Sequence, residues 1–295
     1  MSLKVSNNEV ERIDTHASRK RGYRVVLSIA GSDSSGGAGI QADLKTLSSL
    51  GIYGATAITA ITAQNTQGVR AQLAIAPEMV FDQISAVIED IAPCVIKIGM
   101  LSNTEIANAV ADALEEYDVP IILDPVMVSS SGHRLLSAEA QEVIKQRLLP
   151  ITRLITPNIP EMEALAAMSV STTAQKAQAA NYLISLGAQA VLLKGGHEEG
   201  DIKSDTLYQH TSQGTKVSTF TAPTIATHNI HGTGCTLSSA IAAYMAHGYA
   251  LEEAVGMAKS YINRAIEAGA DIAIGKGFGP VNHLYEPLKM QIYEE

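Results

Sequence analysis

A glycine-rich turn that carries a cysteine is the stretch of this sequence best suited to chemistry. Residues 228–240 read His-Asn-Ile-His-Gly-Thr-Gly-Cys-Thr-Leu-Ser-Ser-Ala and lead into an apolar helix. Gly232 and Gly234 lack a Cβ atom, so the chain can turn tightly there and a ligand can approach the backbone. Because the first N–H groups of a helix are unpaired and lie at its positive end, this turn predicts an anion-binding site.

Cys235 lies at the mouth of this predicted anion site. A helix N-terminus lowers the pKa of a thiol, so we expect Cys235 to be a usable base or nucleophile. The alternative interpretation is a glycine-rich helix cap with a small buried cysteine.

Further polar or glycine-rich residues follow six segments that are predicted to be strands. These residues are Gly31 to Gly39, Gln64 to Thr66, Gly99 and Met100, Asp124 to Met127, Thr156 to Glu161, and Lys194 to His197. Each one alone could be a loop cap or a surface charge. Since ligands bind beyond the carboxyl ends of strands in open α/β sheets, all six together predict a ligand site on one rim.

The elements that must position these residues alternate between strand and helix along the chain. Strands are predicted at 25–30, 55–63, 95–98, 120–123, 154–155 and 190–193, with helices at 40–50, 77–91, 104–117, 137–148, 160–167, 173–186, 234–247 and 251–268. This order predicts an α/β fold with a mostly parallel sheet and helices on both faces. Residues 205–221 predict an antiparallel hairpin at the sheet edge, residues 1–22 a flexible extension, and 23–295 a single domain.

Composition excludes several classes of protein. The formal net charge of −9 at pH 7 and the lack of tryptophan argue against a nucleic-acid-binding surface. Apolar runs are too short to span a membrane, and the first 23 residues have no apolar segment typical of a secretory signal. Cys94 and Cys235 lie far apart, so we expect no disulfide framework and a cytoplasmic location.

Two familiar nucleotide-binding motifs fail in the first glycine-rich segment. A P-loop requires a lysine that Gly36-Gly37-Ala38 lacks. A dinucleotide fingerprint requires G-x-G-x-x-G, but Gly37-Ala-Gly39 is followed by Ile-Gln-Ala. An NAD-dependent oxidoreductase on a doubly wound sheet is therefore a weak alternative.

Eight stretches of the sequence form a recognisable set when they are taken together. They are Ala30-Gly-Ser-Asp-Ser-Ser-Gly-Gly-Ala-Gly-Ile-Gln-Ala-Asp43, Ala63-Gln-Asn-Thr66, Lys97-Ile-Gly-Met-Leu101, Leu123-Asp-Pro-Val-Met127, Thr156-Pro-Asn-Ile-Pro-Glu161, Lys194-Gly-Gly-His197, His231-Gly-Thr-Gly-Cys235 and Gly275-Lys-Gly-Phe-Gly-Pro280. In this order they resemble the hydroxymethylpyrimidine/phosphomethylpyrimidine kinases of thiamine biosynthesis. The resemblance covers about residues 24–285. It implies the ribokinase-like fold, a three-layer αβα sandwich that is usually a homodimer.

The resemblance also implies roles for individual residues, with ATP and Mg²⁺ as cofactors. The implied roles are Asn158 and Glu161 for magnesium and nucleotide phosphates, Asp124 for metal-bound water, Lys194 for phosphate, Gly232, Thr233, Gly234 and Cys235 for the anion hole and the nucleotide, Gln64 and Asp43 for the pyrimidine, and Gly31 and Met100 for the lining of the same pocket. Cys235 stands where sugar kinases of the superfamily carry an aspartate base. Two features depart from the family pattern: His133 in the loop Ser129 to Leu136, and the longer N-terminal extension.

The implied activity is phosphorylation of an aminopyrimidine alcohol and then of its monophosphate. A glutamine amide at position 64 suits this substrate, because it offers an acceptor and a donor in one plane to the ring nitrogen and the exocyclic amine. Alternatives left open are a pyridoxal or pyridoxine kinase of the same fold and a non-catalytic pyrimidine sensor.

Overall fold

The computed structural model describes residues 21–127, 136–196 and 200–294. The strands in these ranges are β1 (Arg21–Tyr23), β2 (Val25–Ala30), β3 (Tyr53–Ile58), β4 (Ala60–Asn65), β5 (Gly68–Ala74), β6 (Val95–Ile98), β7 (Ile121–Leu123), β8 (Leu154–Ile155), β9 (Ala190–Leu193), β10 (Ile202–Thr211), β11 (Gly214–Pro223) and β12 (Ile292–Glu294). The α-helices are α1 (Gly39–Ser49), α2 (Pro77–Ile91), α3 (Thr104–Leu114), α4 (Ala138–Val143), α5 (Ile159–Ala166), α6 (Thr173–Ser185), α7 (Thr233–Ala246) and α8 (Leu251–Gly269).

One eight-stranded sheet forms the middle layer, in the order β11-β10-β9-β8-β7-β6-β2-β3. Six neighbouring strands of this sheet pair in parallel, in the order β9-β8-β7-β6-β2-β3. β10 and β11 join antiparallel at one edge, which confirms the predicted hairpin. A β4–β5 hairpin stands apart from this sheet, and β1 pairs with β12. The sheet topology therefore confirms the predicted α/β fold.

Buried strand residues alternate between two helical layers, because successive side chains point to opposite faces. In β2, Leu27 and Ile29 pack in the apolar cluster that contains α2 to α6. Val26 packs in the cluster on the other face, which contains α1, α7 and α8. Ser28 and Lys97 share the face of Val26 by this alternation, although both are polar and fully buried. Polar residues thus lie beneath α1 and α7, next to the rim where a site is predicted.

Three predicted elements differ from the structure. The strand expected at 55–63 is two strands, because the chain leaves the main sheet after Ile58 and begins the β4–β5 hairpin at Ala60. The helix expected at 104–117 ends at Leu114. The helix expected at 137–148 is α-helical over Ala138–Val143 and continues as a π-turn over Ile144–Leu148.

The two ends of the described chain pair with each other. Arg21 lies opposite Glu294, and Tyr23 lies opposite Ile292. The Arg24 guanidinium lies 4.6 Å from the centre of the Tyr293 ring. Arg21 is therefore already in a strand, two residues before the predicted start of the domain, while residues 1–20 of the predicted flexible extension lie outside the described residues. No helix in the described ranges is long and apolar enough to cross a membrane.

Candidate active site

The polar residues predicted to form a rim follow neighbouring strands of the main sheet. Backbone hydrogen bonds continue the parallel pairing just past the strand ends: the Asp124 N–H donates to Ile98, and the Thr156 N–H donates to Leu123. The Lys194 N–H donates to Pro157 in the same way. These bonds fix the residues side by side at the carboxyl ends of the strands, where α/β sheets bind ligands.

Two glycine-rich loops meet above this rim. We call residues 31–39 the first glycine loop and residues 231–235 the second glycine loop. Gly232 has a φ of +79°, and a Cβ atom there would lie 1.8 Å from the Gly37 carbonyl oxygen. A Cβ atom on Gly37 would lie 2.5 Å from the His231 ring. Only glycine permits this approach, so both loops need their glycines to hold the start of α7 in place.

The start of α7 faces a cluster of charges. Gly232 is the N-cap of the helix, and no side chain caps it. A Cβ atom on Gly234 would lie 3.4 Å from the Lys194 ammonium and 3.5 Å from an Asp124 oxygen. The N-terminal end of α7 and an ammonium group therefore converge on one place, as expected of a site that holds phosphate.

Lys194 forms ion pairs with two buried carboxylates. Its Nζ lies 2.8 Å from Asp124 Oδ1 and 3.8 Å from Glu161 Oε2. Burial alone would lower the pKa of Lys194, but the two carboxylates outweigh it, and the pKa rises above its ordinary value. Burial also acts against the charge of Asp124, yet Lys194 and Lys97 keep its pKa below the usual range. Lys194 is therefore cationic and Asp124 anionic at neutral pH.

Asn158 and Glu161 form a capping box at the start of α5. The Glu161 N–H donates to Asn158 Oδ1 at 2.9 Å, and the Asn158 N–H donates to Glu161 Oε2 at 2.8 Å. This arrangement explains why an N-x-x-E sequence follows β8, since reciprocal capping fixes both side chains. Burial raises the pKa of Glu161, Lys194 opposes that rise, and Asp124 adds to it. Glu161 is thus held in place beside Lys194 by its own helix.

A second polar group, formed by His231, Asp33 and Gln64, joins the two glycine loops to the β4–β5 hairpin. His231 Nε2 lies 2.7 Å from Asp33 Oδ2 and 3.4 Å from Gln64 Nε2. Because a carboxylate only accepts, His231 Nε2–H donates to Asp33, so that nitrogen cannot also accept from the Gln64 amide. Gln64 Oε1 lies 3.2 Å from the Thr62 hydroxyl, whose single hydrogen is donated over the shorter distance of 2.7 Å to the Ser32 carbonyl. The Gln64 amide therefore keeps both its acceptor and its donor for a ligand.

Asp33 ties the first glycine loop together. It accepts from Ser35, from the Gly37 and Ala38 N–H groups, and from His231. Burial would raise the pKa of Asp33, but the hydrogen bonds from His231 and Ser35 lower it to about 2. Asp33 is therefore ionised at neutral pH and joins the two loops.

Gly31 and Met100, which are expected to line the pyrimidine pocket, lie next to each other. A Cβ atom on Gly31 would lie 2.3 Å from Met100 Cε. Met100 packs with Ala60 and Val126 in a small apolar cluster. The structure thus brings these two residues together beside β4, whose last residues are Gln64 and Asn65.

Asp43 does not lie on the surface of the site, unlike the expectation that it faces the pyrimidine. Its carboxylate is fully buried and accepts from Lys97, at 2.9 and 3.0 Å, from Ser28 at 2.6 Å and from Ser239 at 2.7 Å. These partners come from β6, β2 and α7, so Asp43 joins α1 to the strands and to α7. Removing one partner of a buried ion pair typically costs about 3–5 kcal/mol, which makes Asp43 important for structure.

The expectation of a lowered thiol pKa at Cys235 is wrong. Burial is the largest effect and raises the pKa, and the nearby Lys97 ammonium only partly opposes it. Asp43 and Asp124 raise the pKa further, and the result is about 11. The helix N-terminus is present, but desolvation and two carboxylates outweigh it. Cys235 is therefore a neutral thiol at neutral pH in this structure.

Sequence reasoning missed several residues of this site. Asp33, Lys97, Thr156 and Ser239 received no role, although Asp33, Lys97 and Thr156 lie within the recognised stretches. A lysine in the apolar run Val95 to Ile98 was a usable signal, because a lysine is almost never fully buried unless it is paired. His133, residues 129–135 and His197 lie outside the described residues.

Comparison with known proteins identifies relatives over most of the chain. The phosphomethylpyrimidine kinase family model matches residues 33–282. A hydroxymethylpyrimidine/phosphomethylpyrimidine kinase from Rhizobium meliloti strain 1021 is 46% identical over 262 residues, which cover 88% of this chain and 97% of the relative. Two other relatives are bifunctional proteins of thiamine biosynthesis, and the chain spans only 52% and 50% of their lengths.

Solved structures give the same picture. Phosphomethylpyrimidine kinase from Clostridium difficile 630 is 44% identical with a TM-score of 0.71, and the match covers 82% of this chain and 99% of that one. Pyridoxal kinase from Staphylococcus aureus in complex with AMP-PCP and pyridoxal is 31% identical with a TM-score of 0.80, covering 93% and 100%. The fold is therefore shared by kinases of two different vitamins, and the pyridoxal kinase is the more distant in sequence.

Proposed function

This chain belongs to the phosphomethylpyrimidine kinase family and is a phosphotransferase, and we propose that it uses ATP to phosphorylate 4-amino-5-hydroxymethyl-2-methylpyrimidine and then the resulting monophosphate. One observation carries the proposal. The second glycine loop contacts Gln64 through His231 and the Lys194–Asp124 pair through Gly234. A pyrimidine held at Gln64 would therefore present its substituent to phosphates held at Lys194. The family assignment leaves no place for the oxidoreductase and sensor alternatives.

The residues of the rim suit phosphoryl transfer. This reaction depends on positioning and charge neutralisation more than on covalent chemistry. The acceptor oxygen attacks the terminal phosphorus of ATP as the bond from that phosphorus to ADP breaks, and in the first reaction the hydroxyl proton is released to water. Lys194 and the start of α7 meet the charge on the transferring phosphoryl group, and Gly232 and Thr233 place the backbone against it.

Glu161 and Asp124 are the residues we assign to Mg²⁺, with Asn158 positioning Glu161. Within the described residues no group of three or more histidine, cysteine, aspartate or glutamate residues could hold a metal ion. Two carboxylates suit Mg²⁺, which is commonly held by one or two carboxylates together with substrate phosphates. When bound, the ion neutralises phosphate charge. A homodimer and a cytoplasmic location remain predictions.

Gln64→Leu tests which residue reads the pyrimidine. Leucine has a similar size but leaves the ring donor and acceptor unpaired, at a cost of about 1–3 kcal/mol for each group. We expect calorimetry to show weaker pyrimidine binding and unchanged ATP binding. Gln67→Leu is the matched control, since Gln67 is an exposed glutamine at the same hairpin tip. Equal weakening of both ligands would refute the assignment.

The wild type and Gln64→Leu also test the alternative substrate, pyridoxal. We expect wild-type kcat/KM to be higher for the hydroxymethylpyrimidine than for pyridoxal. Gln64→Leu should reduce that preference, because only the aminopyrimidine offers the donor and acceptor that the amide matches. A higher kcat/KM for pyridoxal in the wild type would make pyridoxal kinase the better description.

Cys235→Ala tests whether the thiol is a base. A primary alcohol must lose a proton and a phosphate monoester need not, since the second pKa of the phosphate is about 6. Because the thiol pKa of about 11 keeps Cys235 neutral, we expect both phosphorylations to slow by similar factors. Each rate should decrease by less than the roughly 10²–10⁴-fold that a general base contributes.

Single-turnover rates, measured from the alcohol and separately from the monophosphate across neutral pH, give the comparison. If the Cys235 thiolate were a base, the rate of the first phosphorylation would rise with pH through the pKa of the thiol. We expect no such rise across neutral pH in either the wild type or Cys235→Ala. A selective loss of the first step would restore the base role.

A further inference from the structure

The motif Gly275-Lys-Gly-Phe-Gly-Pro280 lies across the tip of the β4–β5 hairpin, beside Gln64. We call these six residues the strap. The Thr66 hydroxyl oxygen accepts from the Lys276 and Gly277 N–H groups, both at 3.1 Å. The Thr66 carbonyl oxygen accepts from the Phe278 N–H at 2.9 Å. One threonine therefore holds three consecutive residues of the strap.

The glycines of the strap are explained by this contact. A Cβ atom on Gly275, where φ is +74°, would lie 2.3 Å from the Thr66 hydroxyl oxygen. A Cβ atom on Gly277 would lie 2.0 Å from the Thr66 carbonyl oxygen. Heavy atoms cannot come so close without movement, so glycine is required for the strap to reach Thr66.

The other end of the strap is fixed at the second glycine loop. The His231 N–H donates to the Gly279 carbonyl at 3.0 Å, and His231 pairs with Pro280 in an isolated parallel bridge. A Cβ atom on Gly279 would lie 2.1 Å from Asn229 Oδ1. Asn229 in turn donates to the Gly269 and Ile272 carbonyls, which anchors the chain that leads into the strap.

Gln64 lies between these two anchors. It is two residues from Thr66 along the hairpin, and its amide contacts the His231 ring at 3.4 Å. Its backbone N–H donates to the Ser34 hydroxyl, which donates back to the Gln64 carbonyl. Thr66, the strap and His231 thus form a closed path around Gln64, so the distance between the hairpin tip and His231 depends on the strap.

We propose that Thr66 is a positioning residue for pyrimidine recognition, which it supports by holding the strap and thereby fixing the Gln64 amide against His231. This inference rests on the proposed function, because it assigns to Gln64 the reading of the substrate. The strap bonds directly to Thr66 and to His231, which both lie on the pyrimidine side of the site, so we expect it to act mainly on pyrimidine binding. Thr66 acts on the KM for pyrimidine and leaves the KM for ATP alone.

Thr66→Val and Thr66→Ser are the informative variants. Valine keeps the branched shape and removes the hydroxyl acceptor, so we expect the pyrimidine KM to rise about tenfold, the scale of one or two lost hydrogen bonds. Serine keeps the hydroxyl and should behave like the wild type. Thr211→Val is the matched control, since its hydroxyl donates to Gly214 at the tip of the distant β10–β11 hairpin. Gly277→Ala, which displaces the strap while keeping Thr66, should repeat the effect of Thr66→Val.

A double-mutant cycle separates positioning of Gln64 from a merely structural role. If Thr66 acts through Gln64, Thr66→Val should change the pyrimidine KM by less than about twofold in the Gln64→Leu background, because coupled residues are not additive. Additive effects, an equal rise in the KM for ATP, or failure of serine to restore the wild-type value would overturn the inference. Absence of pyrimidine turnover in the wild type would instead refute the proposed function, and this inference with it.

Discussion

Replacing Lys194 by methionine is expected to lower kcat by about 10²–10³-fold and to leave the pyrimidine KM nearly unchanged. The Lys194 ammonium lies where the start of α7 meets two carboxylates. Its raised pKa keeps it charged at neutral pH, so the variant removes a charge that the transferring phosphoryl group would contact. Steady-state kinetics with each substrate varied in turn gives both constants.

Lys259→Met is the matched control for this experiment. The Lys194 and Asp124 side chains are 13% and 2% exposed, and those of Lys259 and Asp205 are 12% and 4% exposed. Asp205 also accepts from the Gly195 N–H. The control therefore reports whether loosening the backbone beside Lys194 is enough to lower kcat. A similar fall in kcat for both variants, or a collapse of pyrimidine binding in Lys194→Met, would contradict the role of the charge.

Gly232→Ala is expected to lower kcat/KM by about 10²-fold or more, since misplacing catalytic groups by about 1 Å can cost that much. The new methyl group would lie 1.8 Å from the Gly37 carbonyl, so the two glycine loops must separate. That movement carries the first N–H groups of α7 away from Lys194 and the His231 ring away from Gln64. Both substrate affinities should therefore weaken together.

Gly248→Ala separates this effect from simple backbone strain. Gly248 has a φ of +96° and no atom within 4 Å of the position of an added Cβ. Both variants force alanine into a left-handed conformation, which costs about 1–2 kcal/mol, and only Gly232→Ala adds the clash with Gly37. Only Gly232→Ala should lose activity, as thermal unfolding and kinetics on the same samples will show. Comparable activity losses would mean that strain alone, and not the contact with Gly37, explains the effect.

The order of strands and helices could be predicted from the sequence because buried parallel strands and amphipathic helices leave clear patterns. Residues such as Asp124, Thr156 and Lys194 could also be placed, since strand ends share one rim. The β4–β5 hairpin was missed because its apolar residues continue those of β3 without a break in composition. Its register, and therefore the position of Gln64, depends on contacts with distant loops.

Burial was the other property that the sequence could not supply. Cys235 follows a glycine at a helix start, which favours a low thiol pKa, but the pKa is raised by desolvation and by Asp43 and Asp124. Asp43 lies in a recognised stretch, yet its partners Ser28 and Ser239 are 15 and 196 residues away in the chain. Such long-range polar contacts carry no local signal, and they decide which residues face the ligand.

Incubation with Mg-ATP and 4-amino-5-hydroxymethyl-2-methylpyrimidine, with products resolved by mass, tests the central claim most directly. We expect the pyrimidine monophosphate to form first and then to be consumed as the diphosphate appears, with one ADP released for each phosphoryl group transferred. Lys194→Met, run in parallel, should form both products far more slowly. Hydrolysis of ATP without any phosphorylated pyrimidine, or phosphorylation of pyridoxal while the pyrimidine stays unmodified, would contradict the assignment.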